Sequence, residues 1–98
     1  MPRIEEELDL SLALYEPTKY KVLLHNDDYT TMEFVVEVLM KLFHKSLAES
    51  ERIMLTIHNS GKGVCGIYTY EIAQTKANQV KQLAKSSGFP LLATVEEE

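Results

Sequence analysis

Residues 20–35, YKVLLHNDDYTTMEFV, decide the fold. Tyr20 to His25 is rich in residues that favour a pleated, half-buried surface, which predicts a short strand. Three side-chain acceptors follow at once: Asn26, Asp27 and Asp28. A helix start comes directly after them. Thr30-Thr31-Met32-Glu33 offers a capping box, with Thr30 as the N-cap and Glu33 at the third position. Phe34, Val35, Val38, Leu39, Leu42 and Phe43 then recur at helical spacing, predicting a helix with one apolar face that runs to about Lys45. No Lys or Arg lies between residues 22 and 40. A strand-to-helix corner with this many oxygen acceptors suits a cation or a hydrogen-bond donor, not a phosphate.

Outward from this corner the punctuation continues. Ser46-Leu47-Ala48-Glu49 is a second capping box, opening a helix that carries Ile53, Met54 and Ile57 and stops at Asn59-Ser60-Gly61. Gly63 to Thr69 predicts a second strand, in which Gly66 points to a close backbone approach. A third helix is expected from about Tyr70 to Ser86, with Ala73, Ala77, Val80 and Ala84 on one face; Ser87-Gly88-Phe89-Pro90 ends it. Leu91 to Val95 forms the third strand. The order β-α-α-β-α-β predicts an α+β fold, a three-stranded sheet covered on one face by three helices. Residues 1–18 read as a flexible N-terminal extension and residues 19–98 as the core domain. In the extension Leu8, Leu10, Leu12 and Leu14 alternate with Asp9, Ser11 and Ala13, a period-two pattern whose other reading is an edge strand.

The bulk properties exclude several classes. Ninety-eight residues form one domain. A net charge of −5 lacks the basic footprint of a nucleic-acid binder. The single cysteine, Cys65, cannot form an internal disulfide and reads as a small core residue. No run reaches the roughly 18–20 apolar residues of a membrane helix. The acidic start MPRIEEE is unlike a targeting signal. A cytoplasmic monomer is expected.

Asn26, Asp27 and Asp28 have three readings. Turn chemistry is one, since Asn and Asp bond their own backbone. A metal site with His25 or His58 is another, but paired His spacing, a second Cys and a calcium-type loop are all missing. The third is capture of a primary amine, whose three donors need an amide oxygen, a carboxylate or a neutral imidazole. His58, near a helix C-terminus, could equally be a dipole partner. Met32, Val35, Met54 and Ile57 suit a core or an adaptable pocket. No Gly-x-Ser-x-Gly motif is present, and Gly61-Lys62-Gly63 is too short for a phosphate loop. The chain is therefore read as a binding protein without enzyme activity, metal or cofactor. Its rivals are an interaction domain without N-terminal specificity and a metal-dependent hydrolase using Asp27, Asp28 and His58.

These residues resemble the ClpS family, adaptors of the bacterial Clp protease that recognise N-terminal degrons. The match spans residues 20–95. It rests on Asn26-Asp27-Asp28-Tyr29-Thr30, Met32-Glu33-Phe34-Val35, Met54, Ile57-His58 and Gly61-Lys62. Further on come Cys65-Gly66, Thr69, Glu71, Ala73, Thr75-Lys76 and Pro90-Leu91-Leu92. The resemblance implies a fold similar to the C-terminal domain of the ribosomal stalk protein. It implies that Asn26 and His58 bond the α-amine of a protein's first residue, with Asp27 helping, directly or through water. Asp28 and Thr30 would shape the pocket, and Met32, Val35, Met54, Ile57 and Leu91 would line it, Met32 as gatekeeper against β-branched side chains. Substrates would begin with Phe, Tyr, Trp or Leu. Glu71 and Lys76 match positions that contact the N-terminal domain of the AAA+ unfoldase ClpA, and the extension matches, in placement only, the family's arm used in hand-over. Thr31 stands where the commonest form has proline.

Overall fold

The computed structural model describes residues 17–98, so the expected extension lies outside the described residues except for Pro17 and Thr18. Strand β1 is Lys19–His25, helix α1 Met32–Leu42, helix α2 Leu47–Ser60, strand β2 Lys62–Thr69, helix α3 Tyr70–Ser87 and strand β3 Leu92–Glu97. This is the β-α-α-β-α-β order read from the sequence. The sheet is antiparallel with β1 in the middle, in the order β2-β1-β3.

The pleat sorts side chains between two faces. Val22 and Leu24, both fully buried, point to the helices; Lys21, Leu23 and His25 point the other way. Helices α2 and α3 lie on the sheet, and α1 packs against both. Phe34, Val35, Val38 and Leu39 carry the apolar stripe of α1 into a core shared with Val22, Leu24, Cys65, Ala73, Val80 and Ala84. Burial pushes the Cys65 thiol up to about 12, against smaller lowering by the Leu24 backbone and Lys45. Opposite Val22 and Leu23 the register of β2 slips by one residue, and Cys65 is the extra residue of this bulge.

Caps set the element ends. Ser46 accepts the Glu49 N–H at 3.2 Å and starts α2. Gly61 ends α2 at φ 90°, in the left-handed region that favours glycine. Gly88 ends α3 in the same region. The Phe89 N–H folds back to the Ala84 carbonyl and the Gly88 N–H to that of Lys85, a Schellman turn with Pro90 behind it.

Two boundaries differ from the sequence reading. The N-cap of α1 is Thr31, which accepts the Phe34 N–H at 3.1 Å; Thr30 is held by Asp27 instead, so the helix enters one residue later. Helix α1 also stops at Leu42, short of Lys45. His44 adopts φ 56° and the Lys45 N–H turns back to the Leu39 carbonyl. A tertiary contact meets this end: the Lys76 ammonium, from α3, donates to the Leu42 carbonyl at 2.7 Å. A cation at the C-terminal carbonyls both satisfies an orphan acceptor and opposes the negative end of the helix dipole.

Candidate functional site

The corner after β1 is clamped to the end of α2. The Asn26 N–H donates to the Gly61 carbonyl at 2.8 Å, while the Gly61 N–H donates to Ile57 at 2.9 Å. This two-bond clamp sets Asn26 beside the last turn of α2, where His58 lies. Between them opens a recess of about 270 Å³ lined by Asn26, Asp27, Asp28, Thr30, Met32, Val35, Met54, Ile57 and His58. Nine of the positions singled out in the sequence thus meet in one place.

The recess has a polar rim and an apolar floor. Val35 and Ile57 are buried at its base, while Asn26, Asp28 and His58 are exposed at the rim. Met32 is 45% exposed and stands at the entrance. Met32 and Met54 also line a second recess with Glu33, Val36 and Glu51, so these two thioether chains form a wall with open space on both sides. Such a wall can shift without disturbing the core, because unbranched Met has several accessible rotamers.

Asp27 is occupied by its own turn. Its Oδ1 accepts the N–H groups of Tyr29 (2.8 Å) and Thr30 (2.7 Å), and its Oδ2 accepts the Thr30 hydroxyl at 2.6 Å. Partial burial pushes this carboxyl up, but the three hydrogen bonds outweigh it and hold the pKa below its ordinary value. Asp27 is ionised at neutral pH and shapes the corner as an Asx turn.

Three other positions fall elsewhere. Leu91 is buried in the core and lines a cleft between α3 and β3, not this recess. The sheet order explains it: the recess is built at the β2 side of β1, and β3 lies at the opposite edge. Lys76, half-buried, is engaged with Leu42 and lies 5.9 Å over the Tyr68 ring. Glu71 is exposed in the first turn of α3, beside Pro17, Thr18, Tyr20, Thr69 and Tyr70. Among the described residues, no three His, Cys, Asp or Glu side chains gather as a metal site. No helix among them is long and apolar enough to cross a membrane.

One supporting residue escaped the sequence reading. Gly63 lies in β2 under α2, where a Cβ would come within 2.8 Å of Ile57 Cγ1. Its lack of a side chain lets Ile57 sit low and gives the recess its depth. The available signal was a glycine inside a strand, the same one noticed at Gly66. At Gly66 the space is filled by the Tyr68 ring.

The family model for the ATP-dependent Clp protease adaptor protein ClpS matches residues 15–94. The chain is 54% identical over 93 residues to the ATP-dependent Clp protease adapter protein ClpS of Wolinella succinogenes, across 95% of this chain and 91% of that one. It is 55% identical over 85 residues to the same adapter of Campylobacter jejuni, across 87% of this chain and 88% of its relative. Among solved structures, Agrobacterium tumefaciens ClpS2 bound to L-phenylalaninamide is similar with a TM-score of 0.82 and 44% identity, covering 85% of this chain and 100% of that one. The chain belongs to the ClpS family of adaptor proteins of the ATP-dependent Clp protease.

Proposed function

We propose that the recess binds the first residue of proteins that begin with Phe, Tyr, Trp or Leu, and that the chain delivers them to the Clp unfoldase. The observation that carries this reading is the meeting of two acceptors, Asn26 and His58, above an apolar floor of Val35 and Ile57. The similar Agrobacterium protein holds L-phenylalaninamide, a molecule with a free α-amine beside a Phe side chain. An α-amine is largely cationic at neutral pH. The Asn26 amide oxygen and a ring nitrogen of His58 accept from it. Asp27, its oxygens committed to the turn, adds negative charge and holds the corner in shape. The side chain descends past Met32 onto Val35, Ile57 and Met54.

The magnitudes suffice. A hydrogen bond to a charged group contributes about 1.5–3 kcal/mol. Burying one Phe or Leu side chain adds about 1.5–3 kcal/mol. Two or three amine bonds and one side chain reach roughly the −8 kcal/mol of micromolar binding, before ordering costs. Leu91 does not line this recess. For delivery, exposed Glu71 is the docking position on the N-terminal domain of the unfoldase, and Lys76 acts by fixing the end of α1.

The test is a fluorescence-anisotropy titration with a peptide starting in Phe, beside the same peptide N-acetylated. Saturable binding of the first and none of the second is expected; equal binding would refute amine recognition. Glu71→Lys should abolish delivery and leave peptide binding intact.

A further inference from the structure

The outer edge of β3 carries backbone groups that the described fold leaves unused. The Glu98 N–H donates to the Lys19 carbonyl at 2.9 Å, which makes these two a bonded pair at the end of the β1–β3 ladder. Bonded and non-bonded pairs alternate along an antiparallel ladder. Lys21 with Glu96, Leu23 with Thr94 and His25 with Leu92 are therefore bonded, and Ala93, Val95 and Glu97 are not. The N–H and C=O groups of these three residues point away from β1, to an edge that meets no further strand among the described residues. Their side chains stand on the helix face of the sheet, because they lie opposite Leu24, Val22 and Tyr20. Beside them runs a groove of about 670 Å³ between β3 and α3, with Ala77 and the exposed Lys81 and Lys85 along its helix rim. Among the described residues, neither lysine pairs with a carboxylate and exposed Glu97 pairs with no cation. An open strand edge is a template for another strand.

We propose that this edge and groove form the interface with a second copy of this chain, the two β3 strands pairing antiparallel about a two-fold axis at Val95. A two-fold interface must be self-complementary, and this one is. All three outward residues find partners only when Val95 faces Val95 of the second copy and Ala93 faces its Glu97. That register makes three bonded pairs, each exchanging both N–H···O bonds. A shift of two residues either way leaves two such pairs within Leu92–Glu97. The same register brings a carboxylate from each copy to the lysine rim of the other.

The heights along α3 and β3 bear this out. Helix α3 opens at Tyr70, directly after Thr69, which pairs with Lys19, itself bonded to Glu98. It runs antiparallel to β3 and ends at the turn into Leu92. From Tyr70 to Lys81 the helix rises about 16 Å, at about 1.5 Å per residue. From Glu98 back to Ala93 the strand covers about the same distance, at about 3.3 Å per residue. Lys81 is thus level with Ala93, and therefore with Glu97 of the second copy; Lys85 follows one turn on. By the same measure Val95 and Ala77 both lie about 10 Å along, so the axis passes the small Ala77 side chain and the two valines have room to meet. The recess of Asn26 and His58 is on the β2 side of β1 and stays open in both copies, so this inference is independent of the proposed function. It replaces the monomer expected from the sequence.

One strand edge and one helix rim make a small interface, so the pair forms at high concentration. The test is a dilution series of the full chain from millimolar to low micromolar, followed by sedimentation equilibrium and amide NMR. The apparent mass should double toward the high end, with concentration-dependent shifts at Lys81, Val95 and Glu97. Glu97→Lys and Lys81→Glu, both at exposed positions, should each raise the dissociation constant about tenfold, and the double variant, with its charges exchanged, should restore it. A single-copy mass at every concentration overturns the inference. So do shifts centred on Val64 and Ile67, which place the association on the open sheet face. Exchange protection of the Val95 and Glu97 amides that does not change with concentration assigns the edge to another segment of the same chain and overturns it equally. Single variants without effect, or a double variant as weak as the singles, overturn the register.

Discussion

Replacing Gly63 by alanine should destabilise the fold by about 1–2 kcal/mol and raise the floor of the recess. The new Cβ would lie 2.8 Å from Ile57 Cγ1, with Ile57 Cδ1 and the Ile53 carbonyl both at 3.7 Å. Carbon atoms rest about 3.5–4.0 Å apart, so the Cγ1 contact must open by roughly 0.7 Å or more. The atom concerned is near the backbone of a β-branched side chain that is 2% exposed, so it cannot swing aside. Overpacking of this kind costs about 1–3 kcal/mol. Against it stands the smaller entropy of the unfolded alanine chain, about 0.4–1 kcal/mol in favour of the variant. The difference leaves a net loss.

Urea unfolding followed by circular dichroism measures that loss, and a double-mutant cycle with Ile57→Ala identifies its cause. Ile57→Ala alone should cost about 2–5 kcal/mol. In its background Gly63→Ala should cost little or become favourable, because the atom it strikes is gone. The coupling should exceed the roughly 0.3–0.5 kcal/mol within which independent sites add. A Gly63→Ala variant as stable as the parent, or additive effects, would refute the claim that Gly63 sets the height of Ile57. On the proposed function, a peptide starting in Phe should lose more affinity for Gly63→Ala than one starting in Leu.

Asp27→Asn should lose stability at neutral pH. The folded carboxyl has a lowered pKa, so its contribution is present above the ordinary carboxyl range and is lost as pH falls through the lowered value. The gap between parent and variant should be constant from about pH 7 to about 5 and close below about pH 4; a gap that persists near pH 2 would contradict it. Ser50 is fully buried with no partner for its hydroxyl among the described residues. An unpaired buried hydroxyl costs about 1–3 kcal/mol, so Ser50→Ala should match or exceed the parent in thermal stability, and a clear loss would mean that the hydroxyl is bonded. Lys76→Met keeps the aliphatic stem but removes the bond to Leu42, and should cost about 1–2 kcal/mol by the same denaturation; no change would show that the end of α1 needs no cation.

Signals carried by neighbours in sequence were legible. The Ser46 cap, the glycines at 61 and 88, Pro90 and the apolar stripe of α1 all act within a few residues, and the element order follows from them. What could not be read was decided by partners far along the chain. Nothing in Leu42-Phe43-His44-Lys45 marks a helix end, and the cation that meets it, Lys76, is 34 residues further along the chain. Leu91 could not be placed, because strand order decides which edge it joins. Even the choice between Thr30 and Thr31 belonged to Asp27, which takes the hydroxyl of the first and leaves the second to cap.

Asp27 also changes how the acceptor cluster must be understood. Three adjacent acceptors invite the view that all three hold a ligand. In the fold, both oxygens of Asp27 are taken by Tyr29 and Thr30, and the corner they shape is what brings Asn26 and Asp28 to the rim. Turn chemistry and ligand binding do not exclude each other in this motif: on the proposed function, the turn that Asp27 makes is the means by which Asn26 is presented. Asn26 is aimed by its own backbone bond to Gly61 and by the turn that follows it, so on the proposed function replacing Asp27 should weaken amine binding through the position of Asn26 and through lost charge. The two contributions separate with salt. Loss of charge is partly screened as ionic strength rises, whereas loss of position is not. An affinity deficit in Asp27→Asn that vanishes entirely at high salt would mean that the turn survives without its carboxylate, and that the three bonds to Asp27 do not set the geometry of the recess.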